Sequence, residues 1–259
     1  MTDTTPIERR FRLDGKVAVV TGGSRGIGAT VARAFAVAGA DVVVASRKLD
    51  KCETTARAIA DETGRRALAV ACHVGRWSEC DDLVDTVYRE FGRCDVLVNN
   101  AGMSPLYPSL PDVTEELYDK VHAVNARGPF RLSSLIGTKM AEGDGGAIIN
   151  VSTAGTLRPD ATDLPYAMAK AALNAMTLAL AGAWAPKVRA NLVLPGAFDT
   201  DIAQAWTPEM RSAAGAMNPL KRIGAPDDMV GPCLFLASDA GRYVNGAQLL
   251  VDGGAFRTL

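Results

Sequence analysis

Val17-Ala18-Val19-Val20-Thr21-Gly22-Gly23-Ser24-Arg25-Gly26-Ile27-Gly28 runs from an apolar, β-branched segment through a glycine-rich turn into a helical pattern. The apolar run is continuous rather than alternating, which suits a strand buried on both faces of a parallel sheet. Glycines permit a tight turn and close backbone approach, and a helix N-terminus offers free N–H groups and positive dipole charge to a phosphate. The spacing is Gly-x-x-x-Gly-x-Gly, not the Gly-x-Gly-x-x-Gly of the best-known dinucleotide fingerprint. Its place after the first strand of a βαβ unit makes a dinucleotide site the expectation, lined by Gly22, Ser24, Arg25, Gly26, Ile27 and Gly28.

Similar runs recur along the chain at Val42–Val44, Leu68–Val70, Val96–Val98, Ile148–Val151, Leu192–Leu194 and Leu249–Val251. Helical patterns separate them, among them Gly28–Ala38, Ser78–Phe91, Thr114–Met140 and Tyr166–Ala185. This alternation implies right-handed βαβ units. The expected fold is α/β: a three-layer, doubly wound parallel sheet of about seven strands, Rossmann-like, in a single domain (13–259) after an N-terminal arm (1–12). The segment Thr200–Asp227 breaks the rhythm with Pro208, Gly215, Pro219, Gly224 and Pro226. Lying just past a strand's carboxyl end, it is expected to form a substrate lid over about 198–220, with a surface excursion as the alternative.

Composition narrows the function. The 259 residues are 48% hydrophobic with a formal net charge of −1, enough for one substantial core and without the basic balance that nucleic acid requires. No apolar stretch suggests a membrane span, and the N-terminal segment, with Asp3 and Glu8, lacks the apolar core of a signal peptide. Cys52, Cys72, Cys80, Cys94 and Cys233 are odd in number and scattered, as reduced thiols in a cytoplasm would be. With only His73 and His122 present, no metal site is expected.

The end of the second strand bears on which dinucleotide binds. An acidic residue there would hydrogen-bond the ribose 2′-hydroxyl of NAD and repel a 2′-phosphate. The chain instead reads Ala45-Ser46-Arg47-Lys48. Ser46 is placed to donate to a phosphate, and Arg47, Lys48 and Arg25 to pair with it, so NADP (NADPH) is favoured over NAD. The plainer alternative is that these cations are the solvated start of a helix.

Further along, Tyr166 and Lys170 stand four residues apart at the start of an alanine-rich helical stretch, so phenol and ammonium share a face. A cation beside a tyrosine favours the phenolate and pulls down its ordinary pKa of about 10, making the pair a plausible acid/base at a carbonyl or alcohol.

Taken together, the glycine turn, Asn99-Asn100-Ala101-Gly102, Asn125, Tyr166-x-x-x-Lys170, Pro195-Gly196 and Val251-Asp252-Gly253-Gly254 resemble the short-chain dehydrogenase/reductase family over about Leu13 to Gly254, with a likeness to 3-oxoacyl and carbonyl reductases. The resemblance implies an NAD(P)-dependent oxidoreductase, interconverting a small-molecule ketone and a secondary alcohol by hydride transfer. It further implies a homotetramer. Tyr166 would be the proton donor, with Lys170 lowering its pKa and binding the nicotinamide ribose. Asn125 would help hold a relay water. Asn100, Ala101 and Gly102 would line the cofactor, and Pro195, Gly196, Phe198 and Thr200 would meet its nicotinamide end. Other classes that the resemblance leaves open are a cofactor-binding regulatory protein without catalysis and an epimerase or dehydratase.

Two positions depart from the family pattern. Where a catalytic serine normally stands, thirteen residues before the tyrosine, this chain has Thr153, next to Ser152. Thr153 takes the catalytic hydroxyl role, and a one-residue shift in the loop would give it to Ser152; both are substrate-contact candidates. His73 replaces an aspartate expected to meet the adenine amino group. A neutral imidazole would accept the same bond or stack on the base, or His73 fills space while Val74 supplies backbone contacts. The substrate pocket draws on the apolar residues Met103, Leu106, Tyr107, Leu157, Leu164, Phe198, Trp206 and Met217, which favours a hydrophobic ketone, 3-oxoacyl thioester or secondary alcohol over a free sugar.

Overall fold

A computed structural model describes residues 6–200 and 207–256. Its elements are α1 (Ile7–Arg10), β1 (Val17–Thr21), α2 (Gly26–Val37), β2 (Asp41–Ser46), α3 (Leu49–Thr63), β3 (Ala67–Ala71), α4 (Trp77–Phe91) and β4 (Val96–Asn99). There follow α5 (Glu115–His122), α6 (Gly128–Glu142), β5 (Gly146–Val151), α7 (Leu164–Ala183), β6 (Val188–Pro195), α8 (Pro208–Met217), α9 (Val230–Ala237) and β7 (Gln248–Val251). All seven strands are parallel, in the order β3-β2-β1-β4-β5-β6-β7. The order reverses between β1 and β4, and a crevice opens at the carboxyl ends of strands at such a point.

Successive strand residues point to opposite faces, and the core divides accordingly. Val20, Val44, Val98 and Ile149 pack beneath α2, α3 and α9 with Phe35, Ile59 and Leu236. Val19, Val43, Leu97 and Ile148 pack beneath α4 and α6 with Leu83, Leu132 and Ile136. Helices α1, α3, α8 and α9 lie beyond those that the apolar pattern picks out. α3 buries only Cys52, Ala56 and Ile59, too thin a stripe to stand out, and α9 has eight residues.

A buried polar ladder joins the layers on the catalytic side. Asn99 Nδ2 donates to Ser133 Oγ (2.9 Å) and Asn150 Oδ1 (2.8 Å), Asn150 Nδ2 donates to Thr177 Oγ1 (2.8 Å), and Thr177 donates to the Leu173 carbonyl (2.7 Å). These bonds fix α6 and α7 against β4 and β5, because an unmatched polar group inside a low-dielectric core is costly.

The stretch after β6 is more ordered than a bare loop. Thr207 caps α8 by accepting from the Met210 N–H (3.2 Å), and Arg211 reaches back to Asp199 (2.5 Å). Asn218 is buried and donates to the Asp252 carbonyl (2.9 Å), tying the end of α8 to the exit of β7. Trp206 and residues 201–206 of the expected lid lie outside the described residues.

Candidate active site

Thr21, the last residue of β1, holds the switch point together. Its hydroxyl donates to the Val98 carbonyl (3.2 Å) and accepts from the N–H groups of Asn100 (3.0 Å) and Ala101 (3.1 Å). Asn100 Nδ2 returns a bond to the Thr21 carbonyl (2.9 Å). The glycine turn closes against this junction. A Cβ on Gly28 would lie 2.3 Å from the Gly22 carbonyl oxygen and 2.6 Å from Asn100 Nδ2, so a side chain there would clash. Gly22 and Gly26 have φ of 64° and 52°, a region that favours glycine. With Ser24, Arg25 and Ile27 the turn feeds the N-terminus of α2, a backbone cradle that fits a pyrophosphate. The Thr21 hydroxyl is the feature that the glycine pattern does not reveal.

At the neighbouring strand ends, Ser46 closes β2, and Arg47 and Lys48 are exposed beyond it. The backbone N–H of His73 donates to Glu79 Oε2 (2.6 Å), and its ring Nδ1 accepts from the Gly75 N–H (3.1 Å). Val74 is buried in the core, and its carbonyl accepts from the Cys80 thiol (3.3 Å).

Asn125 sits in a π-turn (Ala123–Arg127) between α5 and α6. Such turns widen a helix, often at functional sites. Its amide donates to the Val121 (2.9 Å) and Met103 (2.8 Å) carbonyls, and its Oδ1 accepts from the Met103 N–H (3.3 Å). Gly102 lies between Asn125 and α7: a Cβ on it would stand 3.1 Å from Asn125 Oδ1 and 3.7 Å from Lys170 Nζ. At the β6 exit, the Gly196 N–H donates to the Val251 carbonyl (3.0 Å) after Pro195. The Phe198 ring is buried against Gly224 and belongs to the core, which corrects its expected place on the pocket wall. The Thr200 N–H donates to the Phe198 carbonyl (3.0 Å).

Two residues past β5, Thr153 lies on the side of the chain that faces Tyr166, and its hydroxyl favours the phenolate. Thr153 Oγ1 also accepts from the Gly155 N–H (3.1 Å). Ser152 is buried and donates to Asn174 Oδ1 (2.5 Å) on α7, away from the phenol. Tyr107 bridges the cleft walls, its hydroxyl donating to the Ala161 carbonyl (2.5 Å) and accepting from the Leu164 N–H (2.9 Å).

Lys170 is buried one turn beyond Tyr166. Its Nζ donates to the Val151 carbonyl (2.7 Å) and lies 5.7 Å from the Tyr166 ring centroid. Burial lowers its pKa to about 7. Burial and the Asp163 charge hold the phenol above its ordinary value, and the Thr153 hydroxyl opposes them.

A consequence for stability follows. The unfolded chain keeps the Lys170 proton up to about pH 10, so the folded state binds fewer protons from about pH 7 to 10. Wild-type stability relative to Lys170→Met should rise with pH through that window and stay level below it, as read from urea midpoints of both proteins. A difference independent of pH would show that the amine stays charged in the fold.

A family model described as Enoyl-(Acyl carrier protein) reductase matches residues 22–255. L-rhamnose 1-dehydrogenase (NAD(P)(+)) of Azotobacter vinelandii is 40% identical over 94% of this chain and 98% of its own. D-threitol dehydrogenase of Mycolicibacterium smegmatis is 35% identical over 94% of both chains. The structure of a gluconate 5-dehydrogenase from Burkholderia cenocepacia in complex with NADP and tartrate superposes with a TM-score of 0.92 at 33% identity, covering 98% of this chain and all of that one. Agreement of this extent in sequence and topology, together with the Tyr166–Lys170 pair, shows that the chain belongs to the short-chain dehydrogenase/reductase family.

Proposed function

We propose that the protein is an NADP(H)-dependent oxidoreductase that interconverts a secondary alcohol and a ketone, with Tyr166 exchanging the proton at the substrate oxygen. The observation that carries this reading is the convergence of the Tyr166 phenol, the Thr153 hydroxyl and the buried Lys170 amine at the β5 exit. Because burial raises the Tyr166 pKa, the phenol keeps its proton near neutral pH and is poised as an acid, the form that reduction of a ketone requires. Thr153 donates to the same developing oxyanion, while Lys170 and Asn125 line the path by which a proton returns to Tyr166. The nicotinamide of the bound cofactor supplies the hydride. A lid role for about 198–220 fits the anchoring of α8 beside the β6 and β7 exits.

The preference for NADP rests on the β2 exit, where no carboxylate stands before Asp50 and Arg47 and Lys48 are exposed. A guanidinium–phosphate bond contributes about 1.5–3 kcal/mol, so Arg47→Asp should weaken NADP binding by roughly tenfold or more. Titration of both proteins with NADP and NAD checks this, and tighter NAD binding by the wild type would overturn the preference.

The chemistry is tested by NADPH oxidation with a panel of ketones. Thr153→Ala should cut turnover by about a hundredfold, the scale for losing one oxyanion donor, and Ser152→Ala only severalfold. The reverse pattern would give the hydroxyl role to Ser152.

Self-association as a homotetramer is supported by exposed apolar side chains on outer helix faces, Met168 and Leu178 on α7 and Phe130 on α6. No helix among the described residues is long and apolar enough to cross a membrane. The proposed cytoplasmic placement rests on the cysteines, all five of which are free.

A further inference from the structure

The cleft beside Tyr166 holds a polar group that the proton chemistry leaves unused. Asp163 directly precedes α7, yet its carboxylate makes no capping bond to that helix. Among the described residues no hydrogen-bond donor serves it, whereas Asp160 accepts from the Thr162 N–H (2.9 Å). Half-burial and the Asp160 charge hold the Asp163 carboxyl above its ordinary value. The Asp163 charge in turn helps to raise the Tyr166 phenol, three residues further along.

Geometry sets what this carboxylate faces. A Cβ on Gly155 would stand 3.4 Å from Thr153 Oγ1 and 4.0 Å from Asp163 Oδ2. The hydroxyl that addresses the reacting oxygen and the unserved carboxylate thus border one small space, which Gly155 keeps open. Asp163 also borders Tyr107, Leu117, Val121 and Tyr166 along a narrow crevice. The apolar Leu106 and Leu157, expected to form the pocket, are largely exposed. The Asp163 oxygens remain open to the cleft, and a ligand hydroxyl is a natural donor to such an acceptor.

We propose that Asp163 determines specificity by accepting a hydrogen bond from a hydroxyl on the carbon next to the reacting carbinol. The favoured substrates are then neutral vicinal polyols and sugars, and hydroxy acids with a carboxylate at that position are repelled. This rests on the dehydrogenase reading above. A site built to receive a hydroxyl discriminates strongly, because an analogue without it leaves a protein group unserved.

The test uses the purified full chain with NADP and three alcohols of equal carbon number: threitol, threonate and sec-butanol. Wild type should favour threitol over threonate in kcat/KM. Asp163→Asn keeps the shape and removes the charge, and should lower that ratio by about tenfold or more, chiefly through KM. As a second variant, Gly155→Ala occupies the shared space at ordinary contact distances and should raise KM for threitol more than for sec-butanol. An active wild type whose threitol-to-threonate ratio is unmoved by Asp163→Asn overturns the role of Asp163 and leaves the dehydrogenase reading standing. A wild type that binds NADP yet oxidises none of the three, and reduces none of the matching ketones, overturns both.

Discussion

A buried amine bonded to the last carbonyl of a central strand sets the geometry of this site. Lys170 Nζ donates to the Val151 carbonyl at 2.7 Å, and the chain between these residues forms the wall of the cleft. Because Lys170 is held there, Tyr166 falls one helical turn earlier, above the chain leaving β5, and meets Thr153 two residues past Val151. The same bond brings the amine to Gly102 and so to Asn125. The Asn99–Asn150–Thr177 ladder keeps α7 from sliding along β5, so the spacing does not depend on the loop from 154 to 163.

Much of this was legible in the sequence because it follows from periodicity and from residues with few conformational alternatives. Seven strands announce themselves as apolar runs, and Gly22 and Gly28 of the first turn mark places where a side chain would collide with Asn100. Tyr166 and Lys170 share a face by helical spacing alone. Thr153 and Ser152 were separable only in three dimensions, where one hydroxyl turns to the phenol and the other to Asn174.

Other features depend on contacts between distant segments and left no local signal. Thr21 looks like an ordinary strand-end residue, yet its hydroxyl joins β1 to the turn after β4. Phe198 reads as a pocket aromatic until the backbone of Gly224 is seen against its ring. The imidazole of His73 is committed to the Gly75 N–H, which sequence position cannot disclose. The direction of the Tyr166 shift is the sharpest case. Helical spacing brings a cation close, but burial pushes the phenol up and the amine down, which spacing alone does not disclose. Asp163 gives no local signal either, since its place beside Thr153 depends on how the loop from 154 to 163 folds.

The claim on which the rest stands is that Tyr166 moves the proton and does not hold the cofactor's phosphates or the fold. Single-turnover oxidation of bound NADPH by a turned-over ketone, measured for wild type and Tyr166→Phe beside NADPH affinity by fluorescence, tests it most directly. Loss of general-acid catalysis should slow the variant by about 10²–10⁴-fold while NADPH affinity changes by less than about threefold. A variant that reduces the ketone at nearly the wild-type rate would contradict the assignment of Tyr166.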